Sequence, residues 1–219
     1  MLKAVIFDMD GLMVDTEPLA RQAWDAVLGP FGYALSDEVY RQMIGRRSDE
    51  SVRIAWSAYA LPLTAEELLR QKTALFEARL AQGIPLMPGL MPLQAEIARR
   101  QILWAVATSS PRHHAEIILA QLALADSCRA IAGGDEVRQG KPAPDIYLLA
   151  AERLGIAPTD CLALEDSLPG SQAAVAAGMV TVAVPGGDRA AAEFAHAHYI
   201  LPSLHEVLDH LDELLTTSQ

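Results

Sequence analysis

The sequence predicts a doubly wound α/β fold: a parallel sheet with helices on both faces, interrupted once by a small helical insert. Three observations predict it. Short apolar runs alternate with helix-period segments through residues 87–219, the pattern of strands joined by crossover helices. Each run ends abruptly in polar residues or glycine. After the first run the alternation stops, and residues 15–86 read as helices without a convincing strand. The expected organisation is a core domain of residues 1–14 plus 87–219 and a helical cap domain of residues 15–86.

The first strand is Ala4 to Phe7, a fully apolar run closed by Asp8-Met9-Asp10-Gly11. In the insert, Asp15 or Thr16 is placed to cap a helix reaching Leu28, with Pro18 in its first turn. Gly29-Pro30-Phe31-Gly32 stops it, a short helix follows from Ser36 to Ile44, Arg46 to Asp49 reads as a polar loop, and Glu50 to Ala60 is helical again. Thr64-Ala65-Glu66-Glu67 is a capping box opening a helix to about Ala81. In the core, helices are expected at Met91–Arg100, Pro111–Leu122, Pro144–Leu154 and Leu168–Ala177. Strands are expected at Ile102–Ala107, Cys128–Ala132, Cys161–Leu164 and Met179–Val184 (ending in Pro185-Gly186-Gly187), and three further elements, Ala190–Phe194, Tyr199–Leu201 and Ser203–Leu215, finish the chain.

Composition narrows the function classes. The 219 residues are 51% hydrophobic with a formal net charge of -11, which describes a folded globular chain. The acidic balance argues against nucleic acid and against an anionic membrane surface, since both demand clustered Lys and Arg. No apolar run is long enough to span a bilayer. No charged n-region precedes an apolar h-region, so no secretory leader is expected. Two cysteines, Cys128 and Cys161, suit reduced core thiols and a cytoplasmic setting. A monomer is the default expectation.

Strand side chains alternate faces, so Asp8 and Asp10 leave the first strand on one side. Ligands of doubly wound sheets bind beyond the carboxyl ends of the strands. The expected sheet brings together there Asp8 and Asp10, Thr108 and Ser109, Glu165 and Asp166, and the loop holding Lys141. Carboxylates without nearby Cys or His suit a hard cation, of which Mg2+ is the common one. Such an ion takes one or two carboxylates plus a phosphate oxygen, and Lys141 with backbone N–H groups after Thr108 suits the remaining phosphate oxygens. One like-charge pair at contact is repulsive by about 4 kcal/mol at an effective dielectric of 20, so the acids alone would repel a phosphate. Acids, cation and lysine together make a phosphoryl-transfer site.

With these motifs in order, the chain resembles the haloacid dehalogenase superfamily of phosphohydrolases. Asp8-Met9-Asp10-Gly11 with Asp15-Thr16-Glu17-Pro18 is similar to its first motif, Thr108 to the second, Gly140-Lys141-Pro142-Ala143-Pro144-Asp145 to the third, and Leu164-Glu165-Asp166-Ser167 to the fourth. The nearest group is the small-capped one that contains beta-phosphoglucomutase and many small phosphatases. The resemblance implies that Asp8 attacks phosphorus and becomes an aspartyl phosphate. It implies that Asp10 protonates the leaving alcohol and then activates water. Mg2+ would be held by the Asp8 carboxylate, the Asp10 carbonyl and Asp166, with Glu165 alongside, and Thr108, Ser109 and Lys141 would face the phosphoryl oxygens. The implied activity is hydrolysis of a small phosphate monoester, a sugar phosphate or phosphoglycolate-like acid. A phosphosugar mutase is the alternative; its branch carries a histidine where this chain has Ala20, which favours the hydrolase. A phospho-accepting signalling module is the alternative from another class, opposed by Asp10 and by the insert.

Gly45-Arg46-Arg47 and Lys72 are the cap's candidates for substrate contact, set against the plainer reading of solvated charge on helical surfaces. Gly134 to Lys141 mimics a P-loop, with one residue too many and Pro142 where Ser or Thr belongs. His113-His114 and the pair His196 and His198 read as surface residues, the first pair because adjacent residues on a helix face apart. Trp24, Trp56 and Trp104 read as core, and Met87 and Met91 as hinge or core packing.

Overall fold

The computed structural model describes residues 1–186 and 190–217; Gly187, expected in a turn, lies outside them. Chain order begins with β1 (Ala4–Phe7), then α1 (Glu17–Leu28), α2 (Asp37–Met43), α3 (Ser48–Ala58) and α4 (Ala65–Leu80). It continues with α5 (Leu90–Arg99), β2 (Leu103–Thr108), α6 (Arg112–Gln121), β3 (Ala130–Gly133), α7 (Asp145–Leu154), β4 (Cys161–Glu165) and α8 (Leu168–Ala176). β5 (Val180–Ala183), β6 (Tyr199–Ile200), α9 (Leu204–Asp209) and α10 (Leu211–Thr216) complete it.

Among the described residues the strands form one six-stranded sheet in the order β3-β2-β1-β4-β5-β6, every pairing parallel. β1 is central because all four of its residues are apolar and buried, so it is covered on both faces. Its side chains alternate accordingly. Val5 and Phe7 pack with Leu90, Leu93 and Ile97 of α5, Ile118 of α6, and Val207 and Leu211 of α9 and α10. Ala4 and Ile6 point the other way, onto an alanine-rich layer with Ile146, Tyr147 and Ala150 of α7 and Ala173 and Ala174 of α8. The chain winds outward from β1 through β2 and β3, then crosses back to β4 and winds the other way. The crevice of such a sheet opens where the winding reverses, between β1 and β4.

Residues 17–80 fold as helices with an apolar cluster of their own: Trp24, Val27 and Leu28 of α1, Leu35, Tyr40 and Met43 around α2, Val52 and Ala55 of α3, and Leu68 of α4. α4 starts at the expected capping box, with Thr64 Oγ1 accepting from the Glu67 amide at 3.2 Å and the Glu67 carboxylate accepting from the Thr64 amide at 3.0 Å. The two chain segments joining the helices to the sheet pair with each other. Asp15 N donates to Pro85 O at 2.9 Å and Met87 N to Met13 O at 3.0 Å, on either side of an antiparallel bridge between Val14 and Leu86.

Several local expectations need correction. Neither Asp15 nor Thr16 caps α1; Thr16 already has helical dihedrals (φ -83°, ψ -12°), so its hydroxyl is not aimed at the amides of the first turn. The polar stretch from Arg46 to Asp49 is half helix, since Ser48 begins α3 with Asp49 and Glu50 in its first turn. The element expected over Ser203 to Leu215 is two short helices, α9 and α10, that meet at His210, and buried Leu204, Val207, Leu211 and Leu214 keep helical spacing across the junction. Trp56 is 49% exposed, with its indole N–H on Leu63 O, and Met91 is 42% exposed; neither is core. Both cysteines are free thiols. No helix among the described residues is long and apolar enough to cross a membrane.

Candidate active site

Strand register builds the site. Phe7 is level with Leu164 on one side and Val106 on the other, and the Asp8 amide extends the ladder to Leu164 O at 3.0 Å. The residues following these positions therefore emerge at one sheet edge: Asp8 and Asp10 from β1, Thr108 to Ser110 from β2, and Glu165 to Ser167 from β4. Lys141 arrives from the loop before α7. Its Nζ lies 2.5 Å from Asp8 Oδ1, 2.5 Å from Glu165 Oε1 and 3.1 Å from Ala107 O.

Asp8, Lys141, Glu165 and Asp166 are all at most 6% exposed. Three carboxylates against one ammonium leave two negative charges uncompensated when all are ionised. The molecule registers that imbalance. Burial, then the nearby Glu165 charge, pushes the Asp8 carboxyl well above its ordinary range despite Lys141. Burial alone would depress the Lys141 ammonium, but Asp8 and Glu165 outweigh it and hold it above its ordinary value. Asp8, Glu165 and Asp166 each offer an oxygen, all within 4.8 Å of one another, and an oxygen-only set of this charge fits a hard divalent cation.

Glu165 is the most heavily bonded of the acids. Oε1 accepts from Lys141 and from Tyr147 at 2.9 Å; Oε2 accepts from the Ser167 amide at 3.1 Å and its hydroxyl at 3.0 Å. Its carboxylate lies against Gly170, where a Cβ would come within 1.7 Å of Oε1. Ser167 Oγ in turn accepts from the Gly170 amide at 3.2 Å, opening α8.

Asp10 is half-buried at the cavity wall. Its Oδ2 accepts from Thr108 Oγ1 and from Ser110 Oγ, each at 2.9 Å, and Thr108 Oγ1 also accepts from the Ser110 amide at 3.0 Å. The hydroxyl of Thr108, expected on a phosphate oxygen, thus fixes Asp10. Ser109 donates across the cleft to Gly45 O at 2.8 Å, joining the loop after β2 to the loop between α2 and α3.

Between the sheet edge and helices α1, α2 and α4 lies a cavity of about 1150 Å³ lined by Asp8, Asp10, Ala20, Tyr40, Arg46, Lys72 and Asp166 among others. Lys72 sits above the rings of Phe76 (4.8 Å) and Trp24 (5.9 Å), has no carboxylate partner among the described residues, and burial pushes its ammonium down. Arg46 reaches the rim, bonded to Gln42 O at 2.9 Å and 3.5 Å from Glu50. Arg47 turns away from this cavity, onto Asp49 and the carbonyls of Val137 and Arg138.

Three site residues escaped the sequence reading. Tyr147 looked like one more apolar position of α7. Ser110 was hidden behind Thr108 and Ser109. His114, read as a surface residue, is 4% exposed and lines the cavity, because the helical insert covers that end of α6.

A family model described as haloacid dehalogenase-like hydrolase matches residues 2–178. The chain belongs to the haloacid dehalogenase-like hydrolases. Among curated members it is 37% identical over 205 residues to a Drosophila melanogaster protein named "Probable pseudouridine-5'-phosphatase", covering 91% of this chain and 88% of that one. It is 38% identical over 183 residues to fructose-1-phosphate phosphatase YqaB of Escherichia coli (strain K12), covering 82% and 95%. Among solved structures of the family, CbbY from Rhodobacter sphaeroides in complex with phosphate superposes with a TM-score of 0.86 at 34% identity, over 97% of this chain and 100% of that one.

Proposed function

We propose that this family member is a Mg2+-dependent phosphatase of a small phosphate monoester, in which Asp8 is the nucleophile and residues 15–86 form the cap. The observation that carries the reading is the buried cluster of Asp8, Glu165, Asp166 and Lys141 at the carboxyl ends of β1 and β4, facing the cavity beside Asp10. Asp8 and Asp166 would hold the ion, with the Asp10 carbonyl and with Glu165 near them. When bound, Mg2+ supplies the positive charge that lets a carboxylate approach a phosphate dianion, and it polarises the phosphoryl group.

Asp8 attacks phosphorus; the new bond is carboxylate oxygen to phosphorus, and the ester P–O bond breaks. The departing alkoxide takes the proton of the Asp10 carboxyl, which Thr108 and Ser110 keep in place. Asp10, now a base, removes a proton from water, and the resulting hydroxide attacks phosphorus, breaking the bond to Asp8 and releasing phosphate. Lys141 holds the attacking carboxylate in position. The helices exclude bulk water and enclose the leaving group. Lys72 and Arg46 are placed to contact it; Arg47 instead ties the cap to the loop before Lys141. Relatives named for fructose 1-phosphate and pseudouridine 5'-phosphate support a phosphorylated sugar as the substrate class. Free thiols at Cys128 and Cys161 support a reducing, cytoplasmic setting.

A panel of sugar phosphates assayed with Mg2+ should reveal turnover that Asp8→Asn removes. Undiminished hydrolysis by the Asn variant would refute the nucleophile. Product analysis with hexose 1-phosphates should yield free sugar and phosphate; transfer of the phosphate within the sugar would instead make the chain a mutase.

A further inference from the structure

A second convergence of ligating side chains lies away from the acid cluster, where the helical insert meets the sheet domain. Glu77 projects from α4, and His113 and His114 from the first turn of α6. Successive helical residues do not ordinarily share a target. Here Nε2 of His113 and Nε2 of His114 lie 2.8 Å and 3.0 Å from the same atom, Glu77 Oε1, with ring centroids 4.2 Å apart. The three ligand atoms all fall within 4.8 Å of one another.

We propose that Glu77, His113 and His114 bind a borderline transition-metal dication, Zn2+ above all, at a site separate from the Mg2+ site. Two imidazoles and one carboxylate are the donors such ions select, whereas Mg2+ and Ca2+ prefer oxygen alone. Tetrahedral ligand atoms around Zn2+, at bond lengths of about 2.0–2.1 Å, stand about 3.3 Å apart, so both imidazole-to-carboxylate separations are within about half an ångström of that spacing. The bonds from His113 and then His114 hold the Glu77 carboxyl below its ordinary range, leaving it ionised as a ligand must be. His114 is buried against Phe76, 5.3 Å between ring centroids, so one ligand is already fixed in place; His113 is exposed and leaves an entry path and an open coordination position. Occupancy would tie α4 of the insert to α6 of the sheet domain beside the cavity.

The test is calorimetric titration of the full chain with Zn2+ in saturating Mg2+. One equivalent is expected, weakened at least about tenfold in Glu77→Gln and in His113→Ala. Circular dichroism confirms that both variants are folded. Co2+ used in place of Zn2+ should give the intense visible absorption of a tetrahedral ion in the wild type and lose it in both variants. If the variants bind Zn2+ as the wild type does, or if Co2+ shows only the weak absorption of an octahedral oxygen site, the three side chains are a hydrogen-bonded contact between helices and the proposal is overturned. The readouts are binding and absorption, so the result stands apart from whether the chain hydrolyses phosphate esters.

Discussion

Tyr147 donates its phenol to Oε1 of Glu165 at 2.9 Å, the oxygen that also accepts from Lys141. The tyrosine is fully buried, its ring centroid lies 5.2 Å from the Lys141 ammonium, and burial pushes its hydroxyl well above the ordinary value, so it stays a donor. It thereby saturates one side of Glu165 and keeps that charge aimed at the lysine. Tyr147→Phe removes one hydrogen bond to a charged group, worth about 1.5–3 kcal/mol. The expected result is a folded protein whose Tm falls by roughly 3–12 °C, with kcat lowered about three- to tenfold. A thermal melt identical to wild type would show that the bond does not support the site.

Asp8 and Lys141 should respond oppositely to removal. Asp8 is a buried acid among acids, so Asp8→Asn takes a repulsive charge out of the cluster. In metal-free buffer its Tm should equal or exceed that of the wild type, while turnover falls at least about 10³-fold, a stability-for-activity exchange typical of catalytic positions. Lys141→Ala leaves Asp8 and Glu165 buried without their cation and should cost about 3–5 kcal/mol. Melts of the two variants side by side decide the matter; equal losses in both would contradict the charge argument.

How much of this was legible beforehand depends on what the chemistry left in local sequence. β1 could be read within a residue of its ends because four apolar residues meet a sharp Asp-x-Asp-Gly boundary. The capping box at Thr64 was readable because it is a purely local hydrogen-bond pattern. Asp8, Asp166 and Lys141 converge as expected, since strand ends of a parallel sheet must share an edge. What stayed hidden is tertiary. The phenol of Tyr147 matters only because β4 brings Glu165 beneath α7, and that pairing spans 18 residues with no local mark. His114 looked exposed because the ring and the carboxylate that pack on it, Phe76 and Glu77, come from α4, far away in sequence. Arg47 carried the right charge, but the loop at Val137 and Arg138 offers carbonyls that draw its guanidinium away from the cavity.

Glu136 gives the fold an acid-sensitive strut. The Arg153 guanidinium grips both of its carboxylate oxygens at 2.8 Å, the Gly133 amide adds a bond at 2.9 Å, and together they pull its carboxyl down to about 2. A carboxyl depressed in the folded state stabilises above its unfolded pKa, here near 4.5, and that contribution is lost as pH falls from there toward 2. The side chains are partly exposed, so solvent screening limits the effect to about 1–2 kcal/mol. Glu136→Gln should therefore melt roughly 2–8 °C below wild type at pH 7, and the gap should close as the pH approaches 2. A gap that persisted unchanged into acid would mean that packing, not charge, accounts for it.

Gly11 is the residue whose replacement should separate assembly of the metal site from assembly of the fold. It sits at φ +90°, and a Cβ there would come within 2.3 Å of Asp166 Oδ2. Alanine must therefore adopt a strained backbone, costing about 1–2 kcal/mol, and must also push the Asp166 carboxylate off its position. The sheet itself is untouched, since Gly11 lies beyond β1 and the core alternation of Val5 and Phe7 is unaffected. Gly11→Ala should keep the far-ultraviolet circular dichroism of the wild type, require at least about tenfold more Mg2+ for half-maximal activity, and gain less Tm on adding Mg2+. Undiminished Mg2+ affinity in a folded alanine variant would show that Asp166 is not held where the ion binds.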